Sequence, residues 1–272
     1  MIIAPLYGYI QSEWLLLVER LGNTRLVLDL AQGLGLGEQL GILLSKADAV
    51  IYSFGLGKGL DTGGGLLLTA ETVENCDLKS NPKNYYVGNL LKGCLLHLLG
   101  RSGIYPYILG KLESEIDEAK KPDFKEISEI TGAPSDIYLL WEEKYRSYMR
   151  DIQKARHRAR EIGLMPHVQK LCRDIPVYFG SDALHLRQII RFHDIAIKSK
   201  VIKVLQRNGV DCVSAGEQLP SEYFETSVAD DFPNARTFRE DSIRLPFLGR
   251  LSEKMYSEFM RKLEDALVQH IH

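Results

Sequence analysis

Hydrophobic and polar positions follow two different periods along the chain. Short apolar runs at Ile2 to Leu6, Leu26 to Leu30, Ala47 to Phe54 and Leu66 to Thr69 have strand length and strand composition. Between the first two, Trp14, Leu15, Leu17, Val18 and Leu21 recur at helical spacing, with Ser12 placed to cap the start and Gly22 the end. A strand, helix, strand order of this kind predicts a parallel sheet. Leu90, Leu91, Cys94, Leu95, Leu98 and Leu99 predict a buried or interface helix within Val87 to Leu112. Ser114 to Glu129 is charged and reads as an excursion or linker. Ser135 then caps a long helix running to about Leu164, with Leu139, Leu140, Tyr145, Tyr148, Met149 and Ile152 at helical spacing. In the last third, Pro176 to Gly180 and Ile189 to Ile197 alternate like strands. Ser199 to Asn208 predicts a helix ended by Gly209, and Val210 to Ser214 a short strand. Ser252 caps a final helix with Met255, Phe259, Leu263 and Leu267 on its apolar face. The expected class is α/β: a mainly parallel sheet with flanking helices, followed by a small C-terminal α+β domain. Residues 1–125 form the expected large-domain part, 126–165 a connecting helix, and 166–272 the small domain.

Composition narrows the function classes. At 272 residues, 45% of them hydrophobic and with a formal net charge of −2, the chain can bury a sizeable core and carries no basic excess for nucleic acid. The run Lys154 to Arg160 reads as a solvated helix face rather than a nucleic-acid patch. Lys92, His97 and Arg101 interrupt the most apolar stretch too often for a membrane span. The first residues lack a signal-peptide pattern. Cys76, Cys94, Cys172 and Cys212 are scattered and form no CxxC pair, which suits reduced thiols in a cytoplasmic protein better than a zinc site. The histidines, His185 and His193 among them, show no metal-ligand spacing.

Candidate chemistry gathers in Ala49 to Thr69. An apolar strand leads into a glycine-rich turn that presents Lys58, and Gly63 to Gly65 lead into the next strand. A solvated lysine in a hairpin loop is the plain reading of that feature. Upstream, however, a second apolar strand ends on Asp29, and in open α/β sheets ligands bind beyond the carboxyl ends of strands. An acid ending one strand and a lysine after another suit pyridoxal phosphate: the lysine forms a Schiff base with the aldehyde, and the carboxylate pairs with the protonated ring nitrogen. Ser53 is placed to donate to the phosphate and Gln32 to reach the phenolic oxygen. The glycines from Gly33 to Gly41 lack the G-x-G-x-x-G order of a dinucleotide loop, so a reductase finds no fingerprint here.

The motifs Ile3-Ala-Pro-Leu-Tyr-Gly8, Leu28-Asp-Leu-Ala-Gln32, Ser53-Phe-Gly-Leu-Gly-Lys58 and Gly63-Gly-Gly resemble those of the DegT/DnrJ/EryC1/StrS sugar aminotransferases. The closing segments Phe232-Pro-Asn-Ala-Arg, Ser242-Ile-Arg-Leu-Pro246 and Leu251-Ser-Glu are similar to the family's tail. The resemblance implies a pyridoxal 5'-phosphate enzyme of aspartate-aminotransferase-like fold. Lys58 would be the catalytic Schiff-base lysine, Asp29 the ring-nitrogen partner, Ser53 a phosphate ligand and Gln32 a contact to the cofactor oxygen. It implies a cytoplasmic homodimer that takes an amino-acid donor and a nucleotide-linked keto sugar, in polysaccharide or secondary-metabolite biosynthesis.

Two departures qualify the expectation. The family's opening segment, with its phosphate loop and its aromatic stacker, has no counterpart here. Thr131-Gly132-Ala133-Pro134 stand where the family has Asn-Tyr-Arg-Met. The large domain is therefore expected in truncated form, and a separate N-terminal polypeptide becomes a candidate partner. The alternative is a non-catalytic or truncated homologue serving as scaffold or partner subunit. A bare sheet edge would need covering, by a second copy or by Val87 to Leu112.

Overall fold

The computed structural model describes residues 1–10, 13–36, 38–54, 60, 65–69, 79–80, 131–132, 137–179, 183–215 and 233–269. The chain divides into two compact units: residues 1–97, 127–156 and 181–186 in one, and 98–126, 157–180 and 187–272 in the other. The expectations for Lys58 and its turn, for Ser12 and Ser135 as caps, for the helix within 87–112 and for the charged stretch 114–129 fall outside the described residues.

In the first unit, strands β1 (Ile2–Ile3), β2 (Val27–Asp29), β3 (Ala49–Ser53) and β4 (Gly65–Thr69) form one sheet in that order. The β1–β2 and β2–β3 pairs are parallel and β3–β4 is antiparallel. The mainly parallel sheet expected from the β–α–β pattern is therefore present. Register sets Ile3, Leu28 and Val50 side by side on one face, all buried. Helices α1 (Glu13–Glu19) and α2 (Glu38–Lys46) cover that face with Val18, Leu40 and Leu43. Burying side chains such as Leu26, Leu28 and Leu43 contributes about 2 kcal/mol each. The sequence reading took Gly33 to Gly41 for a glycine-rich segment and missed α2. Gly41 has open space where a side chain would be, and inward Leu40 and Leu43 outweigh its poor helix propensity.

Among the described strands β4 is the outermost of its sheet, with Leu66, Leu67 and Leu68 exposed at 39%, 56% and 47%. That exposure is unusual for three adjacent leucines and identifies an apolar edge. A further pair, β5 (Lys79–Ser80) and β6 (Thr131–Gly132), is parallel. The long helix expected after residue 134 is α3 (Ile137–Gly163), on which Tyr148, Ile152, Ala155, Ala159 and Ile162 are buried at spacings of three and four.

The second unit is built on an antiparallel sheet, β7 (Cys172–Arg173), β8 (Ile189–Phe192), β10 (Ser242–Arg244) and β9 (Val213–Ser214), in that order. Around it run α4 (Pro166–Leu171), α5 (Ile175–Phe179), α6 (Ile195–Arg207), α7 (Pro233–Asp241) and α8 (Glu253–Val268). Ile190, Phe192, Val201, Leu205, Ile243, Leu263 and Leu267 form its core. This is the α+β composition expected for the C-terminal part.

Three local expectations are corrected. Residues 175–179 form α5, not a strand: Asp174 adopts φ +56° and its carbonyl accepts from Val177 N–H (3.0 Å) and Tyr178 N–H (3.1 Å). Pro176 suits such a start because first-turn amides have no helical partner. The strand at 189 ends at Phe192, since Asp194 caps α6, which begins at Ile195, four residues before the expected start, the cap's Oδ1 accepting from Ala196 N–H at 2.6 Å. Within the basic run 154–160, Arg158 is buried rather than solvated. It donates to the Leu248 (2.7 Å) and Leu251 (2.8 Å) carbonyls and to Glu253 (2.6 Å), and lies over the Tyr256 ring. Ser252 caps α8 as expected, accepting from Met255 N–H at 3.3 Å. Met255 itself is exposed, and Tyr256 and Ala266 take inward positions.

Candidate functional site

The parallel register brings the carboxyl ends of β1, β2 and β3 to one edge of the first unit's sheet. Asp29 closes β2 opposite Ile51, and Ser53, two residues beyond Ile51, closes β3. The period of two puts Asp29 and Ser53 on the same face. That is the face away from the buried Leu28 and Val50, and both side chains are partly exposed. Asp29 Oδ1 accepts from Ala31 N–H at 3.0 Å, which turns the chain sharply after the strand. The turn continues through Gly33 N–H to the Leu30 carbonyl (2.9 Å) and carries Gln32 beside the turn after β1. There Gln32 Oε1 accepts from Tyr7 N–H at 2.7 Å.

Three of the four expected site residues are thus gathered at one sheet edge; Lys58 lies outside the described residues. Among the described residues nothing hydrogen-bonds to Asp29 Oδ2, Gln32 Nε2 or Ser53 Oγ. One acceptor and two donors therefore remain available at that edge. The edge is supported from below: Tyr148 on α3 donates to the Leu34 carbonyl at 2.8 Å, and Gly35, at φ +90°, leaves room for Met149. Phe54, just past Ser53, stacks edge-to-face on Trp141 with ring centroids 4.7 Å apart.

Sequence reasoning assigned no role to Tyr7, although it quoted the segment holding it. It also missed a charged network in the second unit. Asp241, 1% exposed, accepts from Arg191 through Nε (3.0 Å) and Nη2 (2.7 Å), from Arg173, and from Ser242 Oγ (2.7 Å). Burial alone would raise the Asp241 carboxyl, but the hydrogen bonds and charges of Arg191, Ser242 and Arg173 hold it below the usual range. Lys198, buried beside this network, donates to Ser214 Oγ (2.6 Å), and burial lowers its amine from the ordinary value. Cys172 is a buried thiol pushed up to about 12 by loss of solvent, so it is an inert group. The network ties β7, β8 and α7 together.

A mainly parallel sheet with polar groups at its carboxyl edge is where α/β proteins bind ligands. Neither a protein-family model nor a curated protein matches the sequence. Solved structures match in fold. PseC from Helicobacter pylori, an aminotransferase involved in the biosynthesis of pseudoaminic acid, is 15% identical, with a TM-score of 0.61 over 98% of this chain and 66% of its own. A DegT DnrJ EryC1 StrS aminotransferase from Brucella abortus is 16% identical, with a TM-score of 0.57 over 97% of this chain and 63% of its own. NtdA from Bacillus subtilis, solved with bound cofactor PMP, is 14% identical, with a TM-score of 0.59 over 98% of this chain and 56% of its own. The chain therefore has the fold of DegT/DnrJ/EryC1/StrS-type aminotransferases, and it spans two thirds or less of the length of these three. No helix among the described residues is long and apolar enough to cross a membrane.

Proposed function

We propose that the carboxyl edge of the parallel sheet is a pyridoxal phosphate site, and that the protein is an aminotransferase-like enzyme for nucleotide-linked keto sugars with an amino-acid donor. The observation that carries this reading is the set of groups without partners among the described residues at that edge: one carboxylate oxygen and two donors, on a fold shared with a PMP-bound aminotransferase. The donor set fits the group. Asp29 Oδ2 would hold a proton at the pyridine nitrogen, Gln32 Nε2 would donate to the phenolic oxygen, and Ser53 Oγ would donate to the phosphate. The cofactor, when bound, supplies an electron sink. Lys58 would hold it through the aldehyde and afterwards carry the proton between cofactor and substrate carbons. In this reading residues 1–125 carry the site, 126–165 connect, and 166–272 form the small domain. The protein works in the cytoplasm as a homodimer.

A second reading, a non-catalytic partner subunit, is favoured by the exposed leucines of β4, which offer an apolar edge for another chain. Absorbance titration with pyridoxal phosphate separates the two. The site reading expects saturable binding that weakens about tenfold or more in Asp29→Asn, because a charged hydrogen bond is lost. Equal weak binding by parent and variant would leave the partner-subunit reading standing.

A further inference from the structure

The turn after β1 contains two consecutive left-handed residues, Tyr7 at φ +57° and Gly8 at φ +81°. Glycine enters this region freely, whereas a tyrosine there is an outlier held by its surroundings. Those surroundings are visible. Leu184 N–H donates to the Gly8 carbonyl at 3.1 Å, and a Cβ on Gly8 would stand 2.5 Å from Leu184 Cβ. The Tyr7 ring is 3% exposed, yet its hydroxyl is buried without a hydrogen-bond partner among the described residues. The ring fills space, and its polar tip gains nothing. What the turn does deliver is the Tyr7 main-chain N–H, which meets Gln32 Oε1 at 2.7 Å.

A carboxamide has two ends of nearly the same shape and opposite hydrogen-bonding sense. An N–H can be met only by the oxygen, so the contact with Tyr7 settles which end of Gln32 faces the sheet edge. We infer that Tyr7 is a positioning residue for Gln32: its left-handed main chain fixes the carboxamide so that Nε2 is the end offered to an oxygen acceptor of the bound ligand. The same bond ties the turn after β1 to the turn after β2, holding Gln32 close to Asp29. The identity of the ligand rests on the pyridoxal phosphate reading; the orientation of Gln32 does not.

Two readouts test this independently. In ligand-free protein, hydrogen exchange at the Tyr7 amide is slow in the parent and in Gln32→Glu, whose carboxylate also accepts, and about tenfold or more faster in Gln32→Met. In titrations with pyridoxal phosphate, Gln32→Glu binds about tenfold or more weakly although the amide stays protected, because an acceptor now faces an acceptor. Tyr7→Gly and Tyr7→Ala both lose the ring, but only glycine keeps the left-handed main chain without strain. Gly is therefore expected to retain more amide protection and tighter binding than Ala, whereas a role in packing alone would rank Ala at least equal. Unchanged exchange in Gln32→Met, or Ala matching Gly, overturns the inference. If both Tyr7 variants fail to fold, the Gln32 pair decides it with Tyr7 intact. A parent that shows the expected exchange pattern but takes no pyridoxal phosphate refutes the cofactor reading and leaves the positioning role in place.

Discussion

Replacing Asp241 by asparagine tests how much the second unit depends on its buried charge. The carboxylate takes four hydrogen bonds, three of them from Arg173 and Arg191. Asparagine keeps the shape but turns one acceptor oxygen into a donor facing guanidinium groups. Removing one partner of a buried ion pair costs about 3–5 kcal/mol. Arg191 keeps its bond to Asp174 Oδ2 at 2.6 Å, so the lower end applies. About 3 kcal/mol corresponds to roughly 6–12 °C of melting temperature in a chain of this size. Calorimetry and urea unfolding at neutral pH measure it. The pH dependence supplies a second check. The folded carboxyl lies below its unfolded value, so its contribution is complete above the unfolded pKa of about 4 and disappears as pH falls through the folded one. The gap between parent and Asp241→Asn should therefore close on acidification below about pH 4. A loss under about 1 kcal/mol at neutral pH, or a gap that stays constant into acid, would refute the reasoning.

Gly8→Ala and Gly22→Ala should differ sharply, because both glycines have positive φ but only Gly8 faces a side chain, Leu184, with Gly22 open to space. About 1 kcal/mol is expected at Gly22 and clearly more at Gly8, read from urea midpoints; equal costs would contradict the clash. Ser252→Ala should cost about 1 kcal/mol through loss of the α8 cap, and a neutral result in thermal unfolding would remove the cap from the account of this helix. Tyr7→Phe should be neutral or stabilising in the same assay, because it deletes a buried hydroxyl that has no partner among the described residues; a loss above about 1 kcal/mol would mean the hydroxyl is satisfied in solution.

The elements legible in the sequence were those whose burial pattern is local. β2 and β3 announced themselves as short apolar runs, and α3 and α8 as helical stripes, because one face of each packs on a core; β4 was legible from its run of leucines alone, all of which are exposed. The segment 175–179 misled because alternation over five residues cannot distinguish a strand from a single helical turn started by Asp174 and Pro176. α7 shows no apolar stripe; it is mostly polar, and its anchor, Asp241, pairs with a residue fifty positions away. Asp29 and Ser53 could be singled out because acids and hydroxyls at strand ends are visible as residue types, and Gln32 because it follows Asp29 by three residues. The contribution of Tyr7 was hidden, since it is made by a main-chain N–H in a conformation that residue identity does not reveal. Arg158 was misread for a similar reason: its acceptors, the carbonyls of Leu248 and Leu251, lie some ninety residues on.

The proposed function requires that pyridoxal phosphate be held through Lys58. The most direct measurement is to add pyridoxal phosphate to the intact protein, reduce with borohydride, and locate the pyridoxyl group by peptide mass spectrometry. The cofactor reading expects one group per chain on the peptide carrying Lys58, at low excess of cofactor, and its disappearance in Lys58→Ala. Labelling spread over surface lysines in proportion to cofactor excess, and unchanged in Lys58→Ala, would contradict it.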